Sequence, residues 1–137
     1  MSELVYRSMT LPDIEQVYEI ECSCFSQPWS VESLIGEVIR NDAASYVVAE
    51  DNGKIVGYAG MWQMFDEAHM TNIAVAAEYR CRGIATNLIL CLMRTAKANG
   101  GKRMTLEVRE FNHKAQRLGS GTREQGENTT VTRVKMH

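Results

Sequence analysis

The feature that most constrains the fold of this chain is the junction between Ala74 and Met93, AVAAEYRCRGIATNLILCLM. An apolar run ends there, Arg80 and Arg82 flank a cysteine, and Gly83 follows. Apolar residues then recur at every fourth position, which is the spacing of one helix face. The pattern predicts a buried strand that passes through a glycine-containing turn directly into an amphipathic helix.

The segments around this junction predict the order strand, helix, helix, hairpin, strand, helix, strand. Two β-branched and aromatic runs flank Asn52-Gly53, which is the strongest short-range signal for a hairpin turn. Thr10 and Ser30 precede the two early helical patterns and are suitable N-caps. Gly100 follows the third helical pattern and is suited to ending it.

Length and composition exclude several classes of protein. With 137 residues, 45% hydrophobic and 23% charged, the chain is sufficient for one soluble globular domain. Its net charge of −2 argues against a general nucleic-acid binder. We find no apolar run of the roughly 18 residues that a membrane span needs, and no signal-peptide core. We therefore expect a cytoplasmic protein without nucleic-acid or membrane partners. The four cysteines lack zinc-site spacing, so no metal site is predicted.

The strand-to-helix junction has the properties of an anion site. The first N–H groups of a helix lack internal partners, and the helix dipole adds partial positive charge there. Gly83 allows close approach to the backbone, and Arg80 and Arg82 add full charges. A pyrophosphate fits this arrangement. On spacing alone, a turn glycine flanked by solvated arginines explains the pattern equally well.

The same residues carry a resemblance to a known family. Residues 80–85, RCRGIA, match the Q/R-x-x-G-x-G/A signature of the GCN5-related N-acetyltransferases (GNAT), with alanine in the last place. The segments NIAVAAEYRCRGIATNLI, CFSQPWSVESL and LEVREFNHKAQRL resemble the bacterial ribosomal-protein-alanine N-acetyltransferases of that superfamily. The resemblance covers roughly residues 3–118, which is most of the chain.

The resemblance implies an α/β (α+β) fold, a mixed central sheet flanked by helices, with a split between two parallel strands. Acetyl-CoA would lie between TNIAVA and MTLEVR, its pantetheine arm on the edge of the first strand and its diphosphate on the turn. No metal is implied, and Asn112 is equally suited to capping a following helix. The cofactor-binding residues so implied are Ile73, Ala74, Val75, Arg80, Cys81, Arg82, Gly83, Ile84, Ala85, Thr86 and Asn112.

On the acceptor side, the resemblance implies that Glu107 is the general base that helps to deprotonate the amine. Strand pattern alone favours a solvated glutamate there. Trp29 either covers the acceptor or belongs to the core, and Asp66 and Glu67 either meet an amino group or are simply solvated. The implied activity is Nα-acetylation of a protein N-terminal amine, namely the alanine of a ribosomal protein. The alternatives are a CoA-binding protein with little activity and an acetyltransferase for a small amine.

The chain departs from the family pattern after Leu118. The family has a proton-donating tyrosine next, but this chain has Gly119. We therefore divide the chain into an acetyltransferase domain, residues 1–118, and a divergent tail, residues 119–137, and we expect impaired turnover. The tail has few large apolar residues, so the last strands of the sheet are predicted to be missing. An exposed edge beyond MTLEVR would then favour a homodimer.

The tail itself suggests a genetic origin. The codons that residues 126–137 allow, read from the third base of each, can spell a string that resembles the family's usual C-terminal segment. We hypothesise that the tail is a frame-shifted version of that segment. Sequencing the gene tests this, because the hypothesis fails if the shifted codons do not encode that string.

Overall fold

The computed structural model describes the backbone of residues 4–109, 124–126 and 129–135, and the side chains of residues 4–106. Short 3₁₀ turns at Leu11–Asp13 and Ala77–Tyr79 precede the first and third helices. The strands and helices follow the predicted order from the first strand through β5. Their bounds are β1 Leu4–Ser8, α1 Ile14–Cys24, α2 Val31–Ile39, β2 Ala44–Asp51, β3 Lys54–Met64, β4 Glu67–Val75, α3 Ile84–Ala98, β5 Arg103–Arg109, β6 Glu124–Gly126 and β7 Thr129–Lys135.

Within the described residues, one mixed sheet has the strand order β1-β2-β3-β4-β5-β7-β6. Neighbouring strands are antiparallel except β4 and β5, which are parallel. Asn52 and Gly53 form the β2–β3 turn with φ of 50° and 87°. Two central residues with positive φ are typical of a type I′ turn, whose twist matches that of the flanking strands. The predicted hairpin is confirmed.

The helices cover opposite faces of this sheet. Leu88 and Leu92 of α3 are 0% and 2% exposed, in a cluster with the inner residues of β3, β4 and β5. Val17 of α1 and Leu34 of α2 are fully buried in a second cluster, on the other face, with Tyr58 of β3. Full burial of one such side chain stabilises the fold by roughly 1.5–3 kcal/mol. The two faces therefore form separate layers of core, with the sheet between them.

The predicted split lies between β4 and β5. The two strands pair from Glu67↔Arg103 to Met70↔Leu106, and the pairing then stops, although β4 continues to Val75. The register of β4 against β3 shifts at the same point, where Gly60 pairs with Asn72 but Met61 pairs with Met70. The extra residue in β4 is Thr71, a β-bulge that bends the strand. The splayed parallel strands confirm the family's architecture.

The prediction that the last strands are missing is wrong. β7 pairs with β5 along its length, from Arg103↔Lys135 to Arg109↔Thr129, and β6 pairs with β7. A strand at the periphery of a sheet is held by main-chain hydrogen bonds and needs no continuous apolar face, and the Thr and Val residues of TTVTRVK favour strand geometry. Because β7 pairs with β5, the open edge that motivated the predicted homodimer is not present there, and the homodimer stays a prediction.

No helix in the described part of the chain is long and apolar enough to cross a membrane. Within the same residues, no three or more His, Cys, Asp and Glu side chains gather where they could hold a metal ion. Residues 110–123, which include Asn112 and Gly119, lie outside the described residues.

Candidate functional site

The turn between β4 and α3 leaves the helix N-terminus open. Gly83 is the N-cap residue of α3, with φ of 80° and ψ of 8°, a left-handed conformation that favours glycine. A Cβ built on Gly83 meets no atom of the described residues within 4 Å, so none of them occupies the space beside its backbone. The first N–H groups of the 15-residue helix α3 therefore face a surface that a ligand can reach.

Cys81 adds strain to the same turn. Its φ of 64° is uncommon for a residue with a Cβ. Ile84 and Ala85, at the start of α3, are buried in the first cluster and fix the helix against the sheet. Because the helix cannot shift, the chain reaches it through two left-handed residues, Cys81 and Gly83. This geometry orients the main chain of the turn toward the open space.

Arg82 lies on one side of the turn, over an aromatic ring. Its guanidinium carbon is 5.1 Å from the centre of the Tyr79 ring, a distance suited to a cation–π contact. The Tyr79 hydroxyl donates a hydrogen bond of 2.8 Å to Asp51 Oδ2. That hydrogen bond raises the pKa of Tyr79 above its ordinary value. The guanidinium of Arg82 is thereby held over the 3₁₀ turn that precedes α3.

Arg80 points back toward the end of β4. Its Nε donates to the Val75 carbonyl at 3.3 Å, and its Nη2 donates to Cys24 Sγ at 3.3 Å. Cys24, the last residue of α1, is buried, and its thiol lies 3.6 Å from the same carbonyl. The guanidinium therefore ties the turn to α1, a contact that sequence reasoning missed.

The predicted pantetheine edge is the part of β4 beyond the split. Ile73 and Val75 pack on the α3 face, and Ala74 packs on the α1 face. Among the described residues, this stretch of β4 pairs with β3 on one side and has no pairing with β5 on the other. The main chain from Ile73 to Val75 thus borders the split on its β4 side.

A buried carboxylate of α1 holds the loop that precedes α2. Glu21 of α1 is 0% exposed; its Oε2 accepts a 2.8 Å hydrogen bond from the Trp29 backbone N–H, and its Oε1 accepts from the Tyr58 hydroxyl. Trp29 is half-buried against the second cluster, so it contacts the core while it stays at the surface. A glutamate at an inner position of α1, among Val17 and Cys24, was the only sequence signal of this arrangement.

Glu107 is the first residue of β5 beyond its last pairing with β4. Its backbone pairs with Val131 of β7, so the main chain at the predicted base lies on the far side of the split from β4. The carboxylate of Glu107 and the whole of Asn112 lie outside the described atoms.

Asp66 and Glu67 lie at the closed end of the split. They approach Arg103 with nitrogen–oxygen distances of 3.3 and 3.6 Å. The Asp66 carbonyl also accepts from the backbone N–H groups of Lys102 and Arg103. These contacts join β4 to β5 and supply a structural role for both acids.

The fold and the site together define an acyltransferase. The profile of the acetyltransferase (GNAT) family matches residues 14–119, and this chain belongs to that family. The resemblance inferred from the turn signature is confirmed, including its enzymatic class, an N-acetyltransferase.

The chain is also similar to particular members of this family. It is 42% identical, over 82% of its length and 74% of the relative's, to a Bacillus subtilis protein assigned provisionally as a ribosomal protein bS18-alanine N-acetyltransferase. A protein of that activity from Haemophilus ducreyi is 32% identical over 77% of this chain and 72% of the relative. The crystal structure of the Escherichia coli ribosomal-protein-S18-alanine N-acetyltransferase superposes with a TM-score of 0.78, with 21% identity, over 97% of this chain and 94% of that one.

Proposed function

We propose that this protein transfers the acetyl group of acetyl-CoA to the N-terminal amine of a protein, the alanine of ribosomal protein bS18. The relative at 42% identity supports this acceptor. The observation that carries the proposal is the open split beside β4, which ends at the exposed N-terminus of α3. One extended ligand with a diphosphate can occupy both parts.

The coenzyme fits the residues that are present. Backbone N–H groups from Arg80 to Thr86 would hold the diphosphate, since Gly83 has open space where a side chain would otherwise stand. Arg82 adds positive charge beside it. The strand edge at Ile73, Ala74 and Val75 would hold the pantetheine amides. The full proposed set is Ile73, Ala74, Val75, Arg80, Cys81, Arg82, Gly83, Ile84, Ala85, Thr86 and Asn112.

The proposed chemistry is direct transfer without a covalent enzyme intermediate. Glu107 removes a proton from the acceptor ammonium, through water, and so frees the nitrogen lone pair for attack on the thioester carbonyl. Main-chain N–H groups near Val75 donate to the carbonyl oxygen as it gains charge. The C–N bond forms, the nitrogen releases its second proton to water, the C–S bond breaks, and the thiolate takes up a proton. Gly119 cannot donate that proton, so it comes from water.

Substitution of Glu107 tests its proposed role as the general base. Glu107→Gln should lower kcat for a peptide that begins with alanine by about 10²–10⁴, the usual contribution of a general base. The Kd for acetyl-CoA, measured by calorimetry, should stay within about twofold. Glu15→Gln, at an exposed glutamate on α1, is the matched control and should leave both values unchanged. Normal kcat in Glu107→Gln would remove Glu107 from the mechanism.

A second candidate function follows from Gly119, which replaces the family's proton donor. The chain would then bind the coenzyme and turn over little. Mass spectrometry of peptide products, combined with calorimetry of acetyl-CoA, separates the two functions. Product formation supports the enzyme, whereas binding without product supports the second candidate. Absence of acetyl-CoA binding contradicts both.

A further inference from the structure

Three polar side chains lie buried where β4 leaves β5. Asn72 is 1% exposed, and within the described structure neither its Oδ1 nor its Nδ2 has a hydrogen-bond partner. The hydroxyl oxygens of Tyr46 and Thr71 are also buried, and neither has a hydrogen-bond partner within the described structure. A buried polar group without a partner destabilises a fold, and native proteins contain few of them. Three together, at the point where β4 diverges from β5, are therefore unusual.

These residues form one row across the sheet. Gly60 of β3 pairs with Tyr46 of β2 on one side and with Asn72 of β4 on the other. A Cβ added to Gly60 would be 2.2 Å from Tyr46 Cε2, so the Tyr46 ring lies directly on the Gly60 backbone and reaches toward β4. Thr71, the bulge residue, is next to Asn72 in that strand.

The row faces α1 and α2, away from α3. Tyr46 belongs to the cluster on that face, and so does Ala74, which is two residues beyond Asn72 in β4. Strand residues two apart share a face. Glu21 and the Trp29 loop lie on the same face, whereas the turn at Gly83 leads into the helix on the opposite face. The row is therefore on the side from which an acceptor would approach a coenzyme that lies in the split.

Tyr46 keeps its proton in this environment. Burial is the main cause that raises its pKa above the ordinary value, and the negative charge of Glu37 raises it further. The nearby Thr71 hydroxyl lowers the pKa, although the two hydroxyls do not reach hydrogen-bonding geometry. Charges that face Tyr46 are thus acidic, from Glu37 on α2 and Glu21 on α1. A phenol of this kind is available as a hydrogen-bond donor and acceptor at neutral pH.

We propose that Asn72, with Tyr46 and Thr71 beside it, binds the first residue of the peptide acceptor. An N-terminal residue offers amine N–H donors and, three bonds away, a carbonyl acceptor. A carboxamide matches both, because Oδ1 accepts from the amine and Nδ2 donates to the carbonyl. This assignment rests on the proposed function and makes Asn72 a residue that selects peptides over simple amines, which lack the carbonyl.

The competing explanation is structural. A buried water could satisfy these groups and hold the β4 bulge in place. The two explanations differ in what removal of the polar groups does to stability. If the groups await a substrate, a change that removes an unpaired polar atom and keeps the side-chain volume, such as Thr71→Val, leaves the melting temperature unchanged or raises it. If a water network supports the bulge, the melting temperature falls and substrate affinity follows only through misfolding.

The test uses Asn72→Ala and Thr71→Val, with Asn99→Ala as the matched control at the exposed C-cap of α3. For a peptide that begins with alanine, Asn72→Ala should raise KM by about 10-fold or more, as expected for lost hydrogen bonds to a substrate. The Kd of acetyl-CoA should stay within about twofold, and the activity of the variant toward a simple primary amine should not fall. Thr71→Val, which keeps the β-branched shape, should raise the peptide KM without lowering the melting temperature.

Two results separate this inference from the proposed function. If the unaltered protein acetylates the peptide and Asn72→Ala does so with unchanged KM, the inference is overturned and the function stands. If the unaltered protein neither acetylates nor binds the peptide when saturated with CoA, the function fails and the inference fails with it. A lower melting temperature in both variants, with the peptide KM of Thr71→Val unchanged, assigns the row to structure alone and also overturns the inference.

Discussion

Replacement of Gly83 by alanine tests the central element of the site, the left-handed turn that opens the N-terminus of α3. Gly83 has φ of 80°, and a Cβ at this position would contact no atom within 4 Å in the part of the chain that the structure describes. The substitution therefore adds no steric clash within the protein. Its effects on the folded chain and on the ligand can be separated.

The expected loss of stability is purely conformational. An L-residue in the left-handed region costs about 1–2 kcal/mol relative to glycine. For a domain of this size, that corresponds to a fall in melting temperature of about 4–8 °C. Calorimetric or circular-dichroism melting of the protein without ligand measures it.

The expected loss of affinity comes from the added methyl group. It would occupy the open space in which a diphosphate must approach the main-chain N–H groups. We expect the Kd for acetyl-CoA, measured by isothermal titration, to rise at least about 10-fold, the equivalent of one strong hydrogen bond. The melting temperature should then also become less sensitive to added CoA.

Gly53 offers a matched control in the same chain. It has φ of 87° in the β2–β3 turn and equally open space around a built Cβ. Gly53→Ala should lower the melting temperature by a similar amount and leave the Kd for acetyl-CoA unchanged. Equal Kd values for the two variants would refute the claim that the Gly83 turn binds the coenzyme.

Two further predictions concern the scaffold. Arg7 donates to both oxygens of Asp13 at 2.7 and 2.8 Å and lowers the Asp13 pKa to about 2. This ion pair should therefore stabilise the fold by about 2 kcal/mol above pH ~4, and the contribution should be lost as pH falls toward 2. In Asp13→Asn, the free energy of unfolding measured with urea should vary less with pH over that range. Gly60→Ala should lower the free energy of unfolding by about 1–3 kcal/mol, because the new Cβ displaces the Tyr46 ring. Gly57→Ala should lower it less, because its Cβ would meet its nearest atoms at 3.3 Å. Chemical denaturation of the two variants compares these losses.

The elements that sequence reasoning predicted well are those coded by adjacent residues. The Asn52-Gly53 turn, the Ser30 cap, whose Oγ accepts from the Ser33 N–H at 3.1 Å, and the period of α3 all depend on short-range patterns. The split was predicted from the family resemblance. No local pattern could specify it, because it depends on which strands become neighbours.

The contacts that sequence reasoning missed join residues far apart in the chain. Nothing in the local sequence pattern distinguished Cys22, which is exposed, from Cys24, which is buried against Val75 and Arg80. The C-terminal strands were missed for a different reason. The few large apolar residues of the tail predicted that these strands would be missing, but strand pairing in β7 uses main-chain groups that nearly every residue carries.

The last turn of α1 links the two halves of the site. Cys24 accepts a hydrogen bond from Arg80 of the turn before α3. Glu21, one turn earlier, accepts hydrogen bonds from the Trp29 backbone N–H and from the Tyr58 hydroxyl. Both attachments involve buried atoms of one rigid helix, so neither segment can move far without breaking a contact to α1. The arginine also brings positive charge to a helix C-terminus, where the dipole favours it. The position of Arg80 is therefore explained by the anchoring of the turn, whereas Arg82 lies over the Tyr79 ring.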